Sequence, residues 1–303
     1  MPSTAVASLI RLIVAAALFA SIGARAAQPL PGVPTLAPLI SQVTPAVVNI
    51  SIKSRSAAED NPLLRDPFFR RFFNIPDRPP QEMASGSGVI VDARQGIVLT
   101  NNHVIKNAAQ VIVTLKDRRQ FPAQIVGTDP ATDVAVLRIE APNLTALKLG
   151  DSDQMSVGDF VVAVGNPFGL GQTVTSGIVS ALGRSGLGIE GYEDFIQTDA
   201  SINPGNSGGA LVDLEGHLIG INTAILAPSG GNVGIGFAIP VNMAMSIMGT
   251  LVEHGKVRRG LLGVSVQDLN PELAEAFKIS QAQGAVITGI QPGSPAEIGR
   301  AHV

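Results

Sequence analysis

The sequence predicts an all-β double-barrel fold, followed by the start of a smaller β-rich module. Short runs of β-branched and apolar residues recur from Val47 to Pro240 and are separated by turn residues. Strands at this spacing indicate a sandwich or a barrel. No segment of helical periodicity interrupts them, which disfavours alternating strands and helices. About 190 residues of antiparallel structure exceed one small barrel and fit two packed barrels.

The individual strands are predicted from a series of such runs. They are VVNISI, GIVLTN, QVIVTL, DVAVLRIE, DFVVAVG, TVTSGIVSAL, GALVDL, HLIGINTAI and VGIGFAIP. The segments VDARQG, LKDRRQ and DLEGH carry Gly, Asp and charged residues that suit hairpin turns. A helix over 241–254 follows, because apolar residues recur there at helical spacing between Pro240 and a capping Gly255. Residues 27–255 therefore form one predicted domain.

Residues 1–26 have the features of a cleaved secretory signal peptide. In RLIVAAALFASIGARAAQ, a basic residue precedes an apolar run that ends in an A-x-A cleavage pattern at Ala24–Ala26. A helix that spans a bilayer needs about 20 apolar residues, and this run is shorter, so a membrane anchor is the weaker alternative. We expect a mature chain that begins near Ala27, outside the cytoplasm.

The composition excludes several classes of function. A net charge of −3 gives no basic stripe for nucleic acid and no polybasic patch for a membrane surface. The chain has no cysteine, which excludes disulfides, thiolate nucleophiles and cysteine-ligated zinc, and its 4 histidines disfavour a histidine-rich metal site. We therefore expect no metal and no cofactor, and we look for function in the polar residues of the loops.

A glycine-rich turn, NPGNSGGA, surrounds Ser207. Its G-x-S-x-G spelling fits two architectures: the nucleophile elbow of α/β hydrolases, and a tight loop whose backbone amides converge on an oxyanion. The elbow requires a helix directly after the serine and a histidine later in the chain. Two predicted strands follow Ser207 instead, and the later histidines, His217, His254 and His302, lie in a strand, at a helix end and beside the terminus. An esterase with a nucleophile elbow is therefore disfavoured.

Upstream of Ser207, His103 ends one predicted strand and Asp133 begins another. The order His, Asp, Ser is that of double-barrel serine proteases. A serine hydroxyl needs a base to become nucleophilic, imidazole can serve near neutral pH, and a buried carboxylate orients the imidazole. Asp129 is an alternative to Asp133, but it precedes Pro130 in a turn. Asp133 enters an apolar strand, where a carboxylate is costly to bury without a partner, so we favour Asp133.

Further residues of this site follow from the turn and its neighbours. Gly205 can turn sharply so that its N–H and that of Ser207 point at one spot, which makes Gly205, Asn206 and Ser207 the predicted oxyanion hole. Ser201, six positions before the nucleophile, is expected at the floor of the specificity pocket, where its lack of charge disfavours Lys and Arg substrates. One wall of that pocket is predicted at Ile221, Asn222 and Thr223.

Longer motifs resemble the HtrA family of periplasmic serine endopeptidases. They are TNNHVI, TDVAVL, LGDSDQMSVGDFVVAVGNPFGLGQTVTSGIVSALGR and FIQTDASINPGNSGGALVDLEGHLIGINTAI, and the resemblance runs from about residue 36 to about residue 297. It implies a chymotrypsin-like serine protease fold with the triad on His103, Asp133 and Ser207. It also implies an ATP-independent endopeptidase that degrades unfolded or damaged proteins in the periplasm and cuts after small aliphatic residues.

The resemblance also bears on partners. It implies misfolded polypeptides as substrates and a trimer-based homo-oligomer, and we add loose membrane association to these expectations, with no nucleic acid. A protease-fold chaperone that binds misfolded proteins with little cleavage is the alternative function. A member of that kind should have lost a triad residue, and this sequence has all three.

Two segments lie outside the predicted barrels. The loop 53–85 is rich in proline and charge yet carries a cluster of phenylalanines, Phe68, Phe69, Phe72 and Phe73. Clustered apolar residues of this kind seek a partner surface. The family resemblance implies that the loop reaches a neighbouring subunit's active site and holds a resting assembly inactive. A loop that folds back on its own barrel is the alternative.

The segment 256–303 resembles the N-terminal part of a PDZ domain. Its opening, RRGLLGVSVQDL, contains the Gly-Leu-Gly type of loop that offers backbone amides to a peptide, here Leu261, Leu262 and Gly263. A whole PDZ fold needs further strands and a second helix after QPGSPAE. We therefore expect a truncated PDZ domain.

Overall fold

The computed structural model describes residues 35–54, 85–167, 171–188, 191–203, 205–225, 234–280 and 284–299. The predicted signal peptide, nearly all of the loop 53–85 and its phenylalanines lie outside these described residues. Nothing in the described part therefore bears on those predictions. Among the described helices, none is long and apolar enough to cross a lipid bilayer.

The first barrel contains six antiparallel strands and is closed in the order β1-β2-β3-β6-β5-β4. A short helix, α1 (Ala37–Val43), precedes it, and a one-turn helix, α2 (Asn102–Ile105), follows the third strand. The strands are β1 (Val47–Ser54), β2 (Ser85–Asp92), β3 (Ile97–Asn101), β4 (Ala108–Thr114), β5 (Gln120–Asp129) and β6 (Val134–Ile139). Alternate residues such as Val48, Ile50 and Ile52 fill its interior.

The second barrel is closed in the order β11-β8-β9-β10-β13-β12, because β11 also pairs with β12. A seventh strand, β7, pairs in parallel with β12 outside this ring. The strands are β7 (Lys148–Leu149), β8 (Phe160–Gly165), β9 (Thr173–Arg184), β10 (Phe195–Thr198), β11 (Ala210–Val212), β12 (His217–Ile225) and β13 (Gly236–Pro240). The all-β double-barrel prediction is confirmed.

The strand β2 is absent from the runs that the sequence predicts, because glycines interrupt it. A Cβ at Gly86 would lie 2.7 Å from a methyl of Val104, and one at Gly88 would lie 2.8 Å from a methyl of Val98. Glycine within a strand often marks such a close approach. The close packing of β2 under α2 therefore accounts for the weak strand signal.

The two barrels share one buried apolar cluster. It joins Val89, Leu99 and Val134 of the first barrel to residues of the second, such as Val164, Leu218 and Phe237. The rings of Phe195 and Phe237 lie 5.8 Å apart within it. Because the cluster is continuous, the barrels pack as one core, and loops from both meet at its edge.

A long helix, α3 (Val241–His254), follows the second barrel and covers this shared core. It begins after Pro240 and ends at Gly255, whose φ of 71° is left-handed and whose N–H donates to the carbonyl of Leu251. Its buried side chains are Val241, Ala244 and Leu251. The helix contacts β5, β6 and β12, so it links strands of both barrels.

A smaller module follows α3. It contains a two-stranded antiparallel sheet of β14 (Val264–Asp268) and β15 (Ala285–Ile290), with short helices α4 (Pro271–Ala276) and α5 (Pro295–Ile298). Its side chains are much more exposed than those of the barrels, and Leu261 and Leu262 are 67% and 61% exposed.

An ion pair ties the segment after α3 to the first barrel. Arg259 donates from Nη1 to Asp129 Oδ1 at 2.7 Å and from Nη2 to Asp129 Oδ2 at 2.5 Å. Burial by itself would raise the pKa of Asp129, but hydrogen bonds from Arg259 and Thr132 and the guanidinium charge hold it below its ordinary value of 3.8. Asp129 is only 3% exposed, so the pair is bidentate and partly shielded from water.

We expect Arg259→Gln to lower the free energy of unfolding by about 1–3 kcal/mol at neutral pH, between the values for exposed and buried pairs. Because the folded-state pKa of Asp129 is depressed, this stabilisation is present above the unfolded pKa and is lost as the pH falls below about 4. Urea unfolding of both proteins, followed by circular dichroism, measures the difference in unfolding free energy at pH 7 and its decrease at pH 3. The control is Arg258→Gln, an exposed neighbour. Equal stability losses in the two variants would contradict the assignment.

Candidate active site

The first barrel supplies a histidine and an aspartate at one end of two paired strands. His103 lies on the one-turn helix α2 directly after β3, and Asp133 directly precedes β6, so His103 does not end a strand as the sequence predicts. The Asp133 carbonyl accepts hydrogen bonds from the Asn102 N–H at 3.0 Å and the Asn101 side-chain amide at 3.1 Å. These bonds fix the turn before β6. Asp133 has a φ of 56°, an uncommon left-handed conformation for a non-glycine residue.

The carboxylate of Asp133 contacts three hydrogen-bonding groups. Its Oδ2 lies 2.7 Å from His103 Nδ1, and its Oδ1 accepts from the His103 backbone N–H at 2.9 Å. Thr223, which comes from the second barrel, donates its hydroxyl to Oδ2 at 2.8 Å. Asp133 is 1% exposed, whereas the His103 side chain is 46% exposed. A carboxylate can only accept, so His103 Nδ1 carries the hydrogen and Nε2 is left as the basic nitrogen.

Ser207 lies on the glycine-rich turn that leads into β11. The Gly208 N–H donates to the Asn222 carbonyl at 2.8 Å, and the Asn222 N–H donates back to Gly209 at 2.9 Å. The Ser207 hydroxyl donates to the Thr223 carbonyl at 3.1 Å. Within the described residues, it makes no hydrogen bond to His103. Such bonds are often long without substrate and shorten in the substrate complex.

The turn around Ser207 contains two backbone N–H groups without a hydrogen-bond partner among the described residues. In the described part of the chain, neither the Gly205 N–H nor the Ser207 N–H has a hydrogen-bond partner, while the Asn206 N–H between them donates to Asn203 at 2.9 Å. Gly205 has a φ of 95°, and a Cβ there would lie 2.5 Å from Pro167. Only glycine fits this position. Two amide donors on one tight turn are therefore available to an oxyanion.

The structure separates the two candidate aspartates. Asp133 contacts His103, whereas the Asp129 carboxylate accepts from the Thr132 hydroxyl at 2.6 Å and from Arg259. The acceptor oxygens of Asp129 are therefore engaged away from the imidazole.

The residues predicted for the specificity pocket have varied surroundings. Ile221 is buried in the shared core, the Asn222 amide donates to the Ala210 carbonyl at 3.0 Å, and Thr223 bonds Asp133. The side chains of Ile221, Asn222 and Thr223 are thus engaged inside the protein. Ser201 is partly exposed, and its carbonyl accepts from the Thr175 hydroxyl at 2.8 Å.

The loop predicted to bind peptides lies in the module after α3. The Leu262 carbonyl accepts from Ala296 at 3.0 Å, and the Gly263 carbonyl accepts from Gln291 at 2.8 Å. Gly263 has a φ of 77°, and a Cβ there would overlap Ser294. The loop is therefore held against α5 and the segment before it.

Sequence reasoning missed two roles at the site. It assigned Thr223 to the pocket wall, whereas the Thr223 hydroxyl bonds Asp133 and its carbonyl accepts from Ser207. It also omitted Ser87, which contacts the Ser207 turn from the strand β2. A threonine in an otherwise apolar strand was a signal for the first role. The described residues contain no cluster of three or more side chains suited to a metal ion.

Comparisons with known proteins agree with this geometry. The model of the trypsin-like peptidase domain matches residues 86–221. The periplasmic serine endoprotease DegP of Salmonella typhimurium is 52% identical over 287 residues, which cover 87% of this chain and 60% of the relative. The periplasmic pH-dependent serine endoprotease DegQ of Escherichia coli K12 is 52% identical over 279 residues, which cover 91% of this chain and 60% of the relative.

Solved structures give the same relationship. An HtrA-type protease, AlgW with a tripeptide, has a TM-score of 0.74 and 49% identity, and the match covers 88% of this chain and 79% of that chain. The chain spans about 60% of the length of the curated relatives that it matches. At this identity and coverage, the chain belongs to the HtrA family, with a trypsin-like peptidase domain.

Proposed function

We propose that this chain is a serine endopeptidase that cleaves polypeptides through an acyl-enzyme. Ser207 is the nucleophile, His103 is the general base and Asp133 orients the imidazole. The observation that carries the proposal is the buried Asp133 carboxylate, 2.7 Å from His103 Nδ1 and joined through Thr223 to the Ser207 turn. The names of the relatives, which are serine endoproteases, support the same reaction.

The reaction uses these groups in sequence. His103 Nε2 takes the proton of the Ser207 hydroxyl as the oxygen attacks the scissile carbonyl carbon. The oxyanion that forms accepts hydrogen bonds from the N–H groups of Gly205 and Ser207, which have no other partner among the described residues. The imidazolium then gives its proton to the leaving amine, and water releases the acyl group by the same steps. Asp133 stabilises the imidazolium throughout.

We further propose unfolded or damaged proteins as substrates and the periplasm as the location. Relatives named as periplasmic endoproteases support the location, and the signal-peptide pattern of residues 1–26 agrees with it. AlgW structures that contain a tripeptide and a decapeptide support an extended peptide as ligand. A chaperone with little cleavage is the second candidate, and the complete His-Asp-Ser set argues against it.

Two finer assignments belong to the same proposal. The module after α3 is the N-terminal part of a PDZ domain, supported by its Gly-Leu-Leu-Gly loop and its short sheet. The protein assembles as a trimer-based homo-oligomer, supported by the family resemblance and by the clustered phenylalanines of the loop 53–85.

Replacement of Ser207 by alanine should abolish cleavage and leave the fold intact. The change removes one partly buried hydroxyl, so thermal stability should change little, while kcat should fall on the order of 10⁶-fold. Casein digestion and labelling with a fluorophosphonate measure the loss, and Ser156→Ala, an exposed serine of the second barrel, is the control. Labelling of the Ser207→Ala protein would show that another residue is the nucleophile.

The two aspartates can be separated by matched amide variants. Asp133→Asn should lower kcat about 10⁴-fold, because the amide would favour the wrong imidazole tautomer. Asp129→Asn should weaken the Arg259 pair and lower stability, with a far smaller effect on kcat. Both variants are assayed on one peptide p-nitroanilide at a temperature where each is folded. A larger loss of kcat in Asp129→Asn would reverse the assignment.

The uncharged Ser201 predicts cleavage after small aliphatic residues. Digestion of a peptide library, followed by mass spectrometry of the products, should show Val, Ala or Ile before most cuts. Ser207→Ala protein is the control for contaminating proteases. Predominant cleavage after Lys or Arg would refute this specificity.

A further inference from the structure

Ser87 lies in the middle of β2, at the boundary between the two barrels. It is 0% exposed and pairs with Asn49 of β1 in the first barrel. The N–H, the carbonyl and the hydroxyl of Ser87 are all hydrogen-bonded, and the N–H and the hydroxyl bond residues of the second barrel. A serine that is fully buried in a strand needs such partners, because an unpaired hydroxyl in the interior is costly.

The Ser87 hydroxyl bridges two segments of the second barrel. It donates to the Gly205 carbonyl at 2.6 Å and accepts from the Asn166 N–H at 2.8 Å. A hydroxyl has one hydrogen, and here that hydrogen is committed to Gly205. The Asn166 N–H can only donate and the Gly205 carbonyl can only accept, so the hydroxyl accepts from the first and donates to the second.

The backbone of Ser87 bonds the same turn at one more point. Its N–H donates to the Ser207 carbonyl at 2.8 Å. Its carbonyl accepts from the Thr100 hydroxyl of β3 at 2.7 Å, and a Cβ at Gly208 would overlap that carbonyl oxygen. Ser87 therefore bonds the turn at the Gly205 and Ser207 carbonyls, and the backbone of Gly208 passes close to the Ser87 carbonyl.

A second contact holds Asn166 in place. The Asn49 side-chain amide donates to the Asn166 carbonyl at 2.9 Å and to the Gly86 carbonyl at 3.3 Å. Asn49 and Asn166 are both buried. Asn49 of β1 and Ser87 of β2 therefore bond the carbonyl and the N–H of Asn166, and the chain of hydrogen bonds runs from Asn49 through Asn166 and Ser87 to Gly205.

This fastening matters most at Gly205, which has no side chain to hold its backbone. Its φ of 95° lies in a region that residues with a side chain rarely adopt. The Gly205–Asn206 peptide lies between the two peptides that carry the Gly205 and Ser207 N–H groups. A bond to the Gly205 carbonyl therefore holds the middle of the turn, and rotation of that peptide would change the backbone angles that orient both donors.

We propose that Ser87 is a positioning residue for the oxyanion-binding turn. Through its hydroxyl, the first barrel sets the direction of the two amides that the second barrel offers. The inference rests on the proposed endopeptidase function. It assigns Ser87 no contact with substrate and no proton transfer.

Ser87→Ala tests the role. Misaligned donors weaken binding of the transition state more than binding of the substrate. We expect kcat on a tripeptide p-nitroanilide to fall about 10- to 100-fold, with KM changed less than about twofold. Inhibition by the matching peptide aldehyde, which forms a tetrahedral adduct, should weaken by a similar factor, while inhibition by the free tripeptide acid should not change.

The matched control is Thr198→Val. Thr198 is also 0% exposed, and its hydroxyl donates to the Ile178 carbonyl at 2.7 Å and accepts from the Ala200 N–H at 3.1 Å, so neither of these hydrogen bonds involves the Ser207 turn. Its loss should lower the melting temperature and leave kcat, KM and aldehyde inhibition close to the original values. Equal kinetic constants in Ser87→Ala and Thr198→Val would overturn the proposal.

Two further measurements keep the outcome decisive. If Ser87→Ala does not fold, Ser87→Cys retains the shape with a weaker donor, and a partial loss of kcat is expected. An unchanged kcat in that variant would refute the role. If the unaltered protein neither cleaves peptides nor reacts with a fluorophosphonate, the proposed function fails. If the unaltered protein is active and Ser87→Ala equals it, only the positioning role fails.

Discussion

The apolar contact between the two barrels is the constraint on which the site depends. His103 and Asp133 come from one barrel, and Ser207 and Thr223 come from the other. Each fully buried Val, Leu or Phe of the shared core stabilises the fold by about 1.5–3 kcal/mol. A typical hydrogen bond contributes a net stabilisation of only about 0.5–1.5 kcal/mol. The apolar cluster therefore holds the barrels together, and hydrogen bonds across the boundary are left to set the alignment of polar groups.

Several residues with positive φ lie at this boundary. Asp133 has a left-handed backbone, and Gly205 and Gly208 have positive φ values. A left-handed non-glycine residue costs on the order of 1–3 kcal/mol and persists only where its surroundings determine it. At Asp133 the surroundings are its own carbonyl, bonded to Asn101 and Asn102, and its carboxylate, bonded to His103 and Thr223. Asp133 is thus held both by its backbone carbonyl and by its carboxylate.

The sequence predicts the double-barrel architecture correctly, and it proposes the triad residues from the same kind of local signal. Alternating apolar runs and turn residues indicate the barrels, and the order His103, Asp133, Ser207 distinguishes a double-barrel hydrolase from an α/β hydrolase. The choice of Asp133 over Asp129 followed from burial cost, and the structure gives each aspartate a different partner. These inferences need only residue type and neighbours in the chain.

The remaining features depend on contacts between segments that are distant in sequence. Strand β2 was missed because its glycines accommodate Val104 and Val98, which no local pattern reveals. The side chains of Ile221 and Asn222 were expected at a pocket wall, but barrel closure turns them into the interior. Position relative to the nucleophile predicts where the backbone of β12 passes, yet it does not predict which way each side chain points.

Contacts with segments distant in sequence also explain how a turn made largely of glycine can be well ordered. Glycine loses more backbone freedom on folding than any other residue, so the Ser207 turn would be mobile if it were held only by its own chain. Its carbonyls and amides are instead bonded to β2 on one side and to β12 on the other. Both strands belong to closed barrels, in which every strand has two neighbours. The rigidity of the turn therefore comes from the sheets around it.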